Sequence, residues 1–265
     1  MKDSNILKEN GVNLESSLEY LGDMETYDET LQEFLDSVNG KLNDLNNFKN
    51  ANDMANYAIS VHSLKSDARY LGFTALAELA LNHEMKSKEG DAAYVNENFN
   101  SLITEANKMI ALSKSYLGVT EAAPTPEVAP APVVTIEEPT ANTESILVVD
   151  DSDIVRNFIS RVFNNTFNVI LAGDGEQAIK ALSTENTIKC ILLDLNMPGV
   201  NGFAVLDYLK ENALFTKYPV SIITGADDKE TITEAFGYPI IDMLQKPFNE
   251  KDVKRIIERT MNDGR

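Results

Sequence analysis

Cys190-Ile191-Leu192-Leu193-Asp194-Leu195-Asn196-Met197-Pro198-Gly199 is the stretch that decides the fold of this 265-residue chain. Four apolar residues run without interruption into a carboxylate, and a Pro-Gly turn follows. Such a run reads as a strand covered on both faces, with Asp194 at its carboxyl end. Working outward, Ile146–Val149, Phe167–Leu171, Val220–Ile223 and Ile240–Leu244 are further short apolar runs, each followed by a helix-compatible segment. Five successive βα units specify a doubly wound, five-stranded parallel sheet with helices on both faces. In open sheets of this kind the ligand crevice lies beyond the carboxyl ends of the strands. Asp150 and Asp151 follow the first strand, Asp194 the third, Thr224 the fourth and Lys246 the fifth, so all five are expected at one crevice.

Three carboxylates at one place repel one another and call for a cation that prefers oxygen ligands, Mg2+ first among them. Asp150, Asp151 and Asp194 are the expected ligands, with the backbone carbonyl of Asn196 as a further one. A cation there would neutralise charge during in-line transfer of a phosphoryl group, with Asp194 as the nucleophile. Lys246 would supply a fixed positive charge to the phosphoryl oxygens, and Thr224 a hydroxyl.

Residues 1–118 have a different period. Helical segments are expected over 13–22, 25–48, 51–70, 73–88 and 92–117, separated by short polar or glycine-containing breaks, with no strand-like alternation. Long amphipathic helices with short connections imply an antiparallel bundle. On the third, Met54, Tyr57, Ala58, Val61, Leu64, Ala68 and Leu71 form the core stripe. His62 falls roughly 120° from its centre and is expected to face water. Lys65, Ser66 and Arg69 share its flank, offering two cations for phosphate oxygens and a small residue for close approach by a partner. His83 reads as surface decoration.

Between the halves, 119–144 carries Pro124, Pro126, Pro130, Pro132 and Pro139 among Ala, Val, Thr and Glu, and reads as a semi-rigid linker; 145–265 is the α/β half. The formal net charge of −19 disfavours nucleic acid as a partner. A lone, core-like Cys190 excludes a disulfide framework and fits a cytoplasmic setting. Nothing resembles a signal peptide or a membrane span. Neither a Gly-x-Gly-x-x-Gly nor a Walker-type loop is present, so phosphate is expected from another protein. One helix's length follows Lys246, which points to output through protein contacts.

Asp150-Asp151, Asp194 to Gly199, Ser221-Ile222-Ile223-Thr224-Gly225 and Lys246-Pro247-Phe248, in that order over about 144–262, resemble the response-regulator receiver domain. The segment from His62-Ser63-Leu64-Lys65-Ser66 to Gly72 resembles the motif of the histidine-containing phosphotransfer (HPt) family, with Ser66 where that family usually has Gly. The resemblance implies a flavodoxin-like second half, Mg-dependent self-phosphorylation and slow self-dephosphorylation at Asp194, and His62 as phosphoacceptor and donor. It also implies partnership with a sensor histidine kinase or with other receiver or HPt domains, and it allows a cis bond before Pro247. Receivers commonly carry an aromatic switch residue three positions before the lysine, where this chain has Met243. The leading expectation is a phosphorelay protein passing phosphate between His62, Asp194 and partners. The alternative is a binding switch phosphorylated on Asp194 alone, with the helical half as a docking domain. An aspartyl-phosphate hydrolase is disfavoured, because Asn196 stands where such enzymes carry a second Asp.

Overall fold

Asp23, Asp53 and Asp91 begin the long helices by one device: each carboxylate accepts the backbone N–H three residues on, from Thr26, Asn56 and Tyr94. Such a cap satisfies an otherwise orphaned donor and is worth about 1 kcal/mol. In this computed structural model, which describes residues 2–119, 144–225 and 229–263, the helical half contains α1 (Asn5–Glu9), α2 (Leu14–Leu21), α3 (Met24–Asn50), α4 (Met54–Tyr70), α5 (Thr74–Lys88) and α6 (Ala92–Leu117). The five helices anticipated from periodicity are present, and the short α1 is additional. Helix α3 packs against α4 and α6, and α5 against α4 and α6, closing the bundle. The connector expected at 119–144 lies, apart from its end residues, outside the described residues.

The α/β half runs β1 (Ser145–Val149), α7 (Asp153–Phe163), β2 (Asn168–Ala172), α8 (Gly175–Thr184), β3 (Ile188–Asp194), α9 (Gly202–Glu211), β4 (Val220–Gly225), α10 (Lys229–Ala235), β5 (Asp242–Lys246) and α11 (Glu250–Asp263). All strand pairs are parallel, in the order β2-β1-β3-β4-β5. Strand alternation divides the core in two. Ile146, Val148, Cys190, Leu192 and Ile223 pack with α7 and α11, whereas Leu147, Val149, Ile191, Leu193 and Ile222 pack with α8 and α9. Strands β2 and β5 sit one and two residues later than the apolar runs suggested, because the edge strands carry polar residues such as Asn168 and Asp242 in their ladders.

The apolar layer on the α7/α11 side continues into the helical bundle as one buried cluster. Tyr70 of α4, Phe158 of α7 and Phe248 join them, with ring centroids 5.7–6.3 Å apart. The halves are therefore docked, α3 and α4 facing α7 and the carboxyl end of the sheet. No helix among the described residues is long and apolar enough to cross a membrane.

Candidate functional site

Parallel pairing brings the expected residues together. Asp194 closes β3 in register with Ile223 of β4, and Gly225 at the end of β4 is in register with Lys246 of β5. Asp150 follows β1, its backbone N–H bonded to Ala172 of β2. Carboxylate oxygens of Asp150, Asp151 and Asp194 lie within 4.8 Å of one another. The Lys246 ammonium sits between two of them, 2.7 Å from Asp150 Oδ2 and 2.5 Å from Asp194 Oδ2. Asp194 Oδ1 accepts the Asn196 N–H and Asp150 Oδ1 the Ser152 N–H, both at 3.0 Å. The bond between Lys246 and Pro247 is cis.

Asp150, Asp194 and Lys246 are buried, and this sets the electrostatics. Burial first, and then the neighbouring Asp194 and Asp151 charges, raise the Asp150 carboxyl to about 7 against the pull of Lys246. Asp151 is raised for the same reasons, burial first and then Asp194, with Lys246, Lys41 and His62 opposing. The Lys246 ammonium is stabilised, because the three aspartates outweigh the burial that would otherwise lower it. One lysine cannot balance three carboxylates. Asp151 Oδ1 is moreover buried without a hydrogen-bond partner. An excess of clustered oxygen charge with an orphaned carboxylate oxygen fits a hard divalent cation.

Thr224 is buried beside this cluster, and its hydroxyl donates to the Gly225 carbonyl at 3.3 Å. Met243 of β5 is in register with Ile222 of β4 and packs with the apolar layer under α9.

His62 departs from the sequence-based expectation. It does not face water: its residue exposure is 2%, because the α/β half covers the flank that the bundle leaves open. Its angular offset from the stripe was right, but the surface there is not solvent. A Cβ placed on Gly225 would lie 3.2 Å from His62 Cε1, 3.9 Å from His62 Nε2 and 3.7 Å from Lys65 Nζ. Gly225 is thus where the sheet admits the imidazole.

Glu84 of α5 has no signature in the sequence, yet it sets the state of that imidazole. Its carboxylate lies 2.8 Å from His62 Nδ1, 2.5 Å from Lys65 Nζ and 2.9 Å from Lys88 Nζ. Burial would raise the Glu84 carboxyl, but the His62 hydrogen bond and the charges of His62, Lys65 and Lys88 prevail and hold it well below the usual carboxylate range. An ionised carboxylate only accepts, so Nδ1–H is the donor, and Nε2 is the nitrogen left for chemistry. Nε2 is buried with no hydrogen-bond partner.

The other flank residues separate. Lys65 is buried on the Glu84 carboxylate beside His62, and Ser66 is buried one turn further on. Arg69 lines a cavity of about 250 Å³ with Tyr20, Gly72 and Pro247. His83 is not surface decoration. It is fully buried, its Nδ1 2.8 Å from the Tyr57 hydroxyl, and burial pulls its pKa down. Side chains from α4 and α6 flank α5 on both sides there, Tyr57 from one and Tyr94 from the other, so no face of α5 is left for His83 to decorate.

Comparison with known proteins follows this division. The family model described as "Response regulator receiver domain" matches residues 146–258, and that described as "Hpt domain" matches residues 29–112. "Two-component response regulator ORR3" of Oryza sativa subsp. indica is 30% identical over 128 residues, covering 48% of this chain and 95% of the relative. "Transcriptional regulatory protein SrrA" of Staphylococcus aureus is 30% identical over 125 residues, 45% of this chain and 50% of the relative. Among solved structures, chemotaxis response regulator CheY4 of Vibrio cholerae is 24% identical over 44% of this chain and 98% of its own, with a TM-score of 0.41. With a receiver matched over nearly the whole of a curated relative and an Hpt domain ahead of it, the chain belongs to the two-component response regulators, as a phosphorelay protein.

Proposed function

We propose that His62 and Asp194 are the two phosphoryl-carrying groups of this relay, and that they exchange the group with each other and with a partner histidine kinase or other receiver and HPt domains. The observation that carries this reading is the position of His62 Nε2: unpartnered, buried, and set against Gly225 at the strand ends where Asp194 and Lys246 lie. In the transfer, the bond between Nε2 and phosphorus breaks as a bond between an Asp194 carboxylate oxygen and phosphorus forms. The electron pair returns to Nε2, and the Nδ1 proton stays on the ring, donated to Glu84 throughout, so no further reactant is consumed.

Each residue has a task in this scheme. Lys246 holds developing negative charge on the phosphoryl oxygens, and its pairing with Asp194 at 2.5 Å aims that carboxylate. Thr224 has a hydroxyl free to turn from its own chain toward an acyl phosphate. Lys65 and Ser66 flank the phosphorylated imidazole, and Met243 fills the place of an aromatic switch. Asp150, Asp151, Asp194 and the Asn196 carbonyl would hold Mg2+, which when bound neutralises charge on the phosphoryl oxygens. The units taken as 1–118 and 145–265 would then be two stations joined by 119–144.

Labelling with a phosphorylated histidine-kinase donor tests this reading. Wild type should acquire both acid-labile and hydroxylamine-labile phosphate; His62→Gln should lose the first and Asp194→Asn the second. Unchanged labelling in both variants would sink the relay. Normal Asp194 labelling with nothing on His62 would leave the helical half a docking domain.

A further inference from the structure

We infer that the receiver's docking partner is the helical half of its own chain, and that this intramolecular interface shuts both phosphorylatable side chains away from outside proteins until the halves part. This deepens the proposed exchange between His62 and Asp194 and depends on it for its meaning, although the interface stands on separate observations.

The contact is specific in its polar groups. Asp67 of α4 is fully buried, which is costly for a carboxylate without partners. It has them from both halves: the Ser152 hydroxyl of the α/β half donates to Asp67 Oδ1 at 2.8 Å, and Lys41 of α3 pairs with Oδ2 at 2.5 Å. Ser152 also caps α7 through the Val155 N–H and gives its own N–H to Asp150. A continuous hydrogen-bonded path therefore leads from the bundle to the acidic cluster. At the periphery, Arg161 of α7 reaches across to Glu33 of α3 at 2.8 Å and to the Thr30 hydroxyl at 3.3 Å.

The apolar part explains why the halves stay together. Tyr70, Phe158 and Phe248 are buried against one another across the junction, and the Tyr70 hydroxyl accepts the Phe248 N–H at 3.2 Å. Apart, the halves would each show water an aromatic patch beside the reactive group. In the docked chain His62 is 2% and Asp194 0% exposed, and Gly225 at the end of β4 lies against the His62 ring, so a protein donor cannot reach either side chain while the halves are together. The chain between Val119 and Glu144 keeps both surfaces on one molecule. A tether of this kind gives an effective concentration in the millimolar range, well above that of a second copy in solution.

Accessibility of the His62 ring tests this without any phosphotransfer. The full chain is treated with diethyl pyrocarbonate and the modification of His62 and His83 is followed by peptide mass mapping. His83, buried inside the bundle, reports whether a variant is still folded. Arg161→Glu, which faces Glu33 and Glu29, should speed His62 modification about tenfold or more by raising the open fraction. Arg161→Glu with Glu33→Arg should restore slow modification. Gly225→Phe, whose ring must enter the space of His62, should open the halves independently. His83 should stay slow in all, and dilution of wild type by about a hundredfold should change nothing.

Three results would overturn the inference. One is fast His62 modification in wild type. Another is acceleration on dilution, which would make a second copy the partner. The third is no change in either Arg161→Glu or Gly225→Phe while His83 stays protected. Failure of the relay itself would appear only in labelling, with these rates unaffected.

Discussion

Replacing Glu84 by Gln removes one charge from a buried cluster and leaves its shape. The Gln carbonyl can still accept His62 Nδ1–H, but that bond falls from a charge-assisted one, worth about 1.5–3 kcal/mol, to a neutral one worth about 0.5–1.5. The larger loss is at Lys65, whose side chain is 2% exposed and whose 2.5 Å ion pair with Glu84 becomes a bond to a neutral amide. Breaking a buried ion pair outright costs about 3–5 kcal/mol, an upper bound here because Lys65 keeps its other contacts. Lys88 is 42% exposed and adds less than about 1 kcal/mol. The retained amide oxygen and the other contacts of Lys65 offset part of this, so the expected loss is about 2–3 kcal/mol, or a fall in Tm of roughly 4–12 °C. Thermal unfolding followed by helical circular dichroism measures it.

The pH dependence separates this cause from generic damage. Glu84 is held below its ordinary value in the folded protein. Its contribution is therefore fully present above the unfolded-state value of about 4.3 and is lost as pH falls through the lower folded value. The stability gap between wild type and Glu84→Gln should be constant above about pH 5 and should narrow below about pH 4. A gap of the same size at pH 3 and pH 7, or no gap at pH 7, would refute the assignment of Glu84 as the buried counter-ion.

Two further outcomes follow from the geometry. Gly72→Ala should cost about 2–4 kcal/mol, because its φ is +71° and the new Cβ would meet the Asn13 carbonyl oxygen at 2.4 Å, whereas Gly90→Ala, with φ +75° and open space, should cost only about 1 kcal/mol; equal losses on denaturant titration would contradict this. Asp150 is raised to about 7, so a divalent cation must displace its proton at lower pH: Mg2+ affinity should fall about tenfold per pH unit below about 7 and level off above, and Asp150→Asn should abolish that slope. Without cation, the raised Asp150 makes wild type lose stability as pH rises from about 4 to about 7. A flat calorimetric titration between pH 5 and pH 8 would contradict both statements.

The acidic crevice was legible in the chain because each of its residues sits at the end of a strand whose apolar run is visible, and parallel winding sends every such end to the same edge. Asp150, Asp151, Asp194, Thr224 and Lys246 needed no more than strand order. The bundle was legible for a similar reason: the stripe from Met54 to Leu71 is a property of local period, and its members are buried. The role of Gly72 is local in its positive φ but tertiary in its contact with Asn13. What period alone leaves open is the environment of residues off the stripe. His62 lies at the angle its spacing dictates, yet the opposing surface is a domain more than 80 residues away in sequence, so burial there is decided by docking. His83 and Glu84 are polar residues on a helix flanked from two sides, and nothing in the spacing of α5 records how many neighbours it has. The sequence by itself determined two folds and which residues gather at the carboxyl ends of the strands. Only the tertiary structure decided that the His62 imidazole gives its Nδ1–H to Glu84 and is buried against Gly225 of the α/β half, because those outcomes depend on long-range contacts that no local period encodes.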